Sequence, residues 1–153
     1  MPAVARFEDI AADFRARVER MVWCTMTTVD RKGRPRGRIV HPLWEGSTGW
    51  LLTSPQSLKA KHVAKTPWVS FSYWDPAQEQ VHVECRVSWE TDKHRVWNLF
   101  RDTPMPVGYD PALFWPAGPD DASFGVLKLT PWRVELWSLG DLMSQTPPRV
   151  WTP

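Results

Sequence analysis

A chain of 153 residues can bury about 70% of its unfolded surface, so it needs no disulfide or metal to hold a core together. With 42% apolar and 24% charged residues it has the make-up of a globular protein, which excludes fibrous and disordered classes. Nineteen basic residues against seventeen acidic ones leave a formal charge of +2, too balanced for the whole surface to hold nucleic acid, so only local patches can bind anions.

The start, "MPAVARFEDIAADFRARVER", alternates charge with small residues and lacks the apolar stretch of a signal peptide. No run approaches the roughly 20 apolar residues needed to span a bilayer. Cys24 and Cys85 fall inside apparent strands and read as reduced, buried thiols, so a cytoplasmic protein without membrane association is expected. Within this opening stretch, Phe7, Ile10, Phe14, Val18 and Met21 recur at spacings of three and four, which predicts an amphipathic helix lying on a sheet.

Strands follow. "VWCTMTTV" (22–29) is rich in β-branched residues, "DRKGR" supplies a turn, and "PRGRIVHPLWE" (35–45) returns as its hairpin partner. After a "GSTG" turn, "WLLTS" (50–54) is a third strand. The stretch 53–67 then reads as a short helix with Ser54 as cap and Pro55 in its first position, ended at Thr66 and Pro67. "WVSFSYW" (68–74) and "QVHVECRVSWE" (80–90) are the next strands. The second alternates cleanly, with Val81, Val83, Cys85, Val87 and Trp89 on the core face.

"TDKHRVWNLFRD" predicts a further helix that places Val96, Leu99 and Phe100 together. Residues 103–122 carry five prolines and two glycines and read as a long loop in which Phe114 and Trp115 are either a substrate wall or plain core. "FGVLKLTPWRVELWSL" (124–139) reads as two short strands with Pro131 between them, and the Pro-rich tail from Gly140 as loosely held. Eleven tryptophans run from Trp23 to Trp151 without forming a repeat. A single unit over 1–153 is expected, mainly β (α+β), with six or seven antiparallel strands forming a small barrel and helices at its periphery.

Two stretches could carry chemistry. The first turn of a helix has unpartnered N–H groups that favour negative charge, so Ser57 and Lys59 at the mouth of the short helix could hold a phosphate together. Arg36 and Arg38 lie two apart on a strand and project from one face, where they could grip the same oxyanion. For both, the competing reading is a solvated, charged surface. The four histidines offer no metal-binding spacing, and neither a G-x-S-x-G elbow nor a G-x-G-x-x-G fingerprint is present.

Read together, "GRPRGRIVHPLW", "LLTSPQSLKAKHVAKTPWVSFSYW", "QVHVECRVSWETD" and "FWPAGPDD" with "GVLKLTPWRVELW" resemble the pyridoxamine 5'-phosphate oxidase-like flavin-binding split β-barrels, and most of all the general-stress-protein-type subgroup. The resemblance covers residues 18–138 and rests on the order and spacing of the stretches. It implies a homodimer with FMN at the subunit interface, transferring a hydride or electrons between a donor and an unidentified small molecule. By position, Arg38 matches a strand arginine on the phosphate or ribityl chain, with Arg36 beside it. Thr53 and Ser54 match residues along the ring and ribityl, Ser57 and Lys59 the phosphate-binding pair, and Gln80 a polar residue approaching the ring. Trp137 matches an aromatic supplied by the second subunit. No catalytic residue is assigned.

The departures count against vitamin B6 oxidation: Leu58 and Leu43 replace an arginine and a lysine of the true oxidases, and "LGDLMSQTPPRVW" replaces their Arg-x-His signature. Two alternatives follow. One is a reductase using the deazaflavin F420, whose longer tail would meet Lys61, Lys65 and Arg34; the other is a non-catalytic flavin carrier.

Overall fold

The computed structural model describes residues 3–153. After a two-residue strand β1 (Ala3–Val4) and a single 3-10 turn, helix α1 (Ala11–Met21) runs with Ile10, Phe14 and Val18 turned inward at 1%, 1% and 5% exposure, as the three-and-four spacing requires. It ends at Val22, whose φ of 63° places a β-branched residue in the left-handed region. Strand β2 (Cys24–Val29) and strand β3 (Pro35–Val40) form the expected hairpin. The expected 35–45 strand breaks at His41–Pro42, since proline has no N–H to give a ladder, and resumes as β4 (Leu43–Glu45), paired with β5 (Thr48–Thr53).

Helix α2 (Leu58–Lys65), β6 (Trp68–Trp74), β7 (Gln80–Trp89) and α3 (Lys93–Asp102) follow in the expected order. On β7, Val81, Val83, Cys85 and Val87 are at most 5% exposed; Trp89 departs from the expectation, lying 43% exposed at the strand end over Gly125. A Cβ on Gly125 would come within 2.8 Å of the Trp89 ring.

Residues 124–139 do not form two strands. One thirteen-residue strand, β8 (Gly125–Trp137), runs through Pro131. Its pairing with β7 steps from Glu84–Arg133 to Cys85–Pro131, leaving Trp132 as the extra residue of a bulge, which is where a strand tolerates a proline. The tail is also tied down, in contrast to expectation. Helix α4 (Leu139–Ser144) leads to β9 (Arg149–Trp151), which pairs with β8 and, in parallel, with β1. Trp151 is 8% exposed and packs edge-on against the Phe7 ring.

The order is β1-β9-β8-β7-β6-β2-β3, with β5 joined to β8 and β4 to β5 off this path, giving nine strands among the described residues where six or seven are expected. One edge of β8 is shared: its first half pairs with β5 and its last residues with β9, so the sheet divides there. Val40 from one end of this path, Trp151 from near the other and Leu51 from β5 meet in a single core around Phe71, Val83 and Val134, so the sheet curls round on itself. A second core gathers Trp50, Val96, Trp97, Phe100 and Phe124 under α3 and the Pro-rich loop. No helix among the described residues is long and apolar enough to cross a membrane.

Candidate functional site

The β2–β3 register sets Cys24 opposite Val40, Met26 opposite Arg38 and Thr28 opposite Arg36, so all six share one face. That face is core at Cys24 and Val40, and becomes cationic as it nears the hairpin tip. Asp30 fixes the tip, accepting from the Lys32 N–H at 2.9 Å, the Arg34 N–H at 3.0 Å and Arg34 Nε at 2.9 Å; Arg36 Nη1 stands 3.9 Å away. Hydrogen bonds from the Arg34 backbone, and then its side chain, hold the Asp30 carboxyl below the usual range.

Helix α2 packs on β2 and brings two residues to the same place. His62 is 5% exposed and its Nδ1 lies 2.8 Å from Thr28 Oγ1, to which Arg38 Nη1 donates at 2.7 Å. Lys59, three positions earlier on the same side of the helix, is half-buried. Burial lowers the pKa of Arg38, of Lys59 and of His62, and positive neighbours add to it: Arg36 acts on Arg38, Arg38 acts on Lys59, and both arginines act on His62 against the pull of Asp30. Neither Arg38 nor Lys59 forms an ion pair with a carboxylate among the described residues.

The cap of α2 is Ser57, not Ser54: Ser57 Oγ accepts from the Ala60 N–H at 3.2 Å. Ser54 closes the preceding turn instead, accepting from the Gln56 N–H and donating to Gln56 Oε1 at 2.8 Å, so the helix starts three residues later than expected. Thr53, at the end of β5, lies 3.4 Å from Ser57 through the two hydroxyls. Arg38, Lys59 and Ser57 therefore lie around α2 and the adjoining hairpin, with Thr53 and Ser54 leading into it and Arg36 exposed at the edge.

Gln80 and Trp137 do not join them within one chain. They pair with each other at the start of β7 and the end of β8, on the face opposite Val81 and Leu136. Three strand spacings, about 14 Å, separate β7 from β3. Their backbone carbonyls are both held by Arg17 of α1, at 3.2 and 2.5 Å, while Gln80 Oε1 meets His82 Nε2 at 2.9 Å. The histidines otherwise stay apart, and no metal-binding group of His, Cys, Asp or Glu occurs among the described residues.

A cavity of about 550 Å³ lies elsewhere, between α1, β4 and the end of α3, lined by Phe14, Val18, Leu43, Trp44, Leu99 and Val107. In the Pro-rich loop, Trp115 packs on the second core and donates to the Ser123 carbonyl at 3.0 Å, whereas Phe114 is 68% exposed. The sequence reading passed over Thr28 and His62. The available signal was parity: Thr28 is a hydroxyl on the face that carries Cys24 and Met26.

A largely antiparallel sheet that divides at β8, with a cationic cluster where a hairpin meets a capped helix, is a split-barrel architecture. The profile of the family described as pyridoxamine 5'-phosphate oxidase matches residues 10–138, and the chain belongs to that family. A pyridoxine/pyridoxamine 5'-phosphate oxidase of Aliivibrio salmonicida is 39% identical over 61 residues; the match spans 39% of this chain and 29% of that relative's length.

Among solved structures, a protein of Clostridium acetobutylicum related to general stress protein 26 superposes with a TM-score of 0.73 at 15% identity, covering 95% of each chain. A pyridoxamine 5'-phosphate oxidase-related, FMN-binding protein of Nostoc punctiforme gives 0.63 at 20% identity, over 90% of this chain and 86% of its own. An F420 reductase gives 0.59 at 20% identity, over 78% and 94%. The fold is the split barrel of these proteins.

Proposed function

We propose that this protein is a homodimeric FMN-binding oxidoreductase of the cytoplasm whose flavin phosphate rests on Arg36, Arg38, Ser57 and Lys59. One observation carries this reading: Arg38 and Lys59 are partly buried, the Arg38 charge adds to burial in lowering the Lys59 pKa, and neither has a carboxylate partner among the described residues. Two neighbouring cations withdrawn from water are costly without an anion, and the unpartnered N–H groups of a helix's first turn favour negative charge. A phosphate supplies the missing charge. Arg38 and Lys59 bind it, the Ser57 hydroxyl donates to it, and Thr53 and Ser54 line the way to the ring. When bound, the flavin supplies the hydride and electron chemistry, and the protein contributes orientation and water exclusion.

Gln80 and Trp137 complete the ring site from a second copy, because one chain holds them on the other sheet face. Ile39, Trp68 and Trp74, on that same outer face, are 64%, 52% and 58% exposed, an apolar surface suited to a partner subunit. The F420 reading has less support. Arg34 is committed to Asp30, and Lys61 lies two positions from Lys59 on α2, about 200° round the helix.

The test is a fluorescence titration of the apoprotein with FMN. Charge-assisted contacts are worth about 1.5–3 kcal/mol each, so Arg38→Ala combined with Lys59→Ala weakens binding by about a hundredfold or more. Equal affinity in wild type and double variant would remove the phosphate assignment.

A further inference from the structure

We infer that His62, which touches no ligand in this arrangement, is the positioning residue of the anion site, holding Arg38 in place through the Thr28 hydroxyl. The inference rests on the phosphate reading above and assigns a task to two residues that reading leaves unused.

The argument is one of hydrogen-bond direction. A guanidinium can only donate, so at 2.7 Å Arg38 Nη1 gives a proton to Thr28 Oγ1. The hydroxyl keeps one proton, and the acceptor facing it is His62 Nδ1 at 2.8 Å in a buried setting. His62 therefore accepts at Nδ1, and as a neutral ring it carries its own proton on Nε2. The chain of donors runs one way, Arg38 to Thr28 to His62, the sense in which the Thr28 hydroxyl proton is given to His62 Nδ1.

The surroundings keep the ring neutral. His62 faces Arg38 and Arg36 from β3, with Asp30 at the end of β2 as the opposing charge, and burial adds to the effect of the arginines. A charged imidazole would reverse the Thr28 link and place a further cation beside the arginines.

The physical consequence lies in orientation. An arginine on a strand near a hairpin tip, even when partly buried, has several rotatable bonds, and fixing it before the ligand arrives removes part of the ordering cost of binding. The Thr28 hydroxyl and the Met26 carbonyl hold the Nη1 side of the guanidinium, at 2.7 and 3.5 Å, which leaves its remaining N–H groups for the phosphate. His62 in turn keeps the Thr28 hydroxyl pointing the right way.

The experiment compares FMN with riboflavin, which lacks the phosphate. Thr28→Val is isosteric and deletes the link; His62→Phe removes the acceptor; His62→Asn restores one, its Oδ1 standing where Nδ1 was. Thr28→Val and His62→Phe are expected to weaken FMN binding about tenfold, to leave riboflavin binding within about twofold, and His62→Asn to recover most of the loss. Nitrogen NMR of wild-type protein at neutral pH is expected to show His62 protonated at Nε2 and bare at Nδ1. Equal loss for both ligands would overturn the inference, and so would a proton on Nδ1, a readout that stands even if neither variant folds well enough to titrate because it uses wild type. If Arg38→Ala weakens FMN while Thr28→Val does not, the relay fails and the phosphate site stands; if neither matters, the phosphate site itself has failed.

Discussion

His41 and His62 are both held below the ordinary imidazole value of 6.5, each mainly by burial; the Val107 carbonyl opposes the shift at His41 and Asp30 opposes it at His62. In the unfolded chain both take up a proton near pH 6.5, whereas in the folded chain they resist until the pH is lower. The unfolded state thus binds more protons in that window, so stability is greatest above about 6.5 and falls as the pH drops through the depressed folded values. Thermal midpoints measured between about pH 7.5 and 5.5 should decline, and the decline should be smaller in a His41→Asn, His62→Asn double variant. A slope unchanged in that variant would assign the effect to other groups.

Individual side chains differed in how readable they were. Arg36, Arg38, Ser57 and Lys59 stand out because strand and helix spacing puts basic and hydroxyl residues on defined faces. His62 does not, because a histidine on a helix has no stated partner until β2 is packed against it. The same applies to Ser57 over Ser54 as the cap. Both are capping types followed by a plausible first turn, and the hydrogen bonds decide between them: the Ala60 N–H donates to Ser57 Oγ, while Ser54 is engaged with Gln56.

At the level of elements, the C-terminal strand is the clearest case. Three prolines and a glycine make the tail look free in the sequence, yet Val150 and Trp151 are buried and Arg149 pairs with Asp13 of α1. Truncating Trp151 to alanine removes the ring that closes over Phe7 and should cost about 3 kcal/mol, read as a lower urea midpoint with an unchanged slope. A loss below about 0.5 kcal/mol would mean that β9 contributes little.

The alternation in 80–90 was sufficient to find β7, since period two is local. Pro131 misled because the cost of a proline in a strand depends on whether its missing donor faces a ladder position or a bulge, and the Glu84–Cys85 register step is a property of two strands, not one. The break at His41–Pro42 follows the ordinary rule.

For the molecule as a whole, the face bearing Ile39, Trp68 and Trp74 is expected to pair with a second copy. Sedimentation should then give twice the 17.7 kDa chain mass, and Ile39→Asp should yield a monomer that has lost FMN affinity along with the partner's Gln80 and Trp137. A wild-type monomer that binds FMN tightly would sink this assembly.

The sequence by itself determined the order of the elements from α1 to α3 apart from the break at Pro42, the family and the cationic character of one hairpin and one helix mouth, because periodicity, turn chemistry and spacing are short-range properties written along the chain. Only the tertiary structure decided that β8 serves β5 and β9 along one edge, that the tail closes the core, and that His62 meets Thr28 and Arg38. Those are meetings between residues far apart in the chain, set by sheet curvature and packing, and no local pattern encodes them.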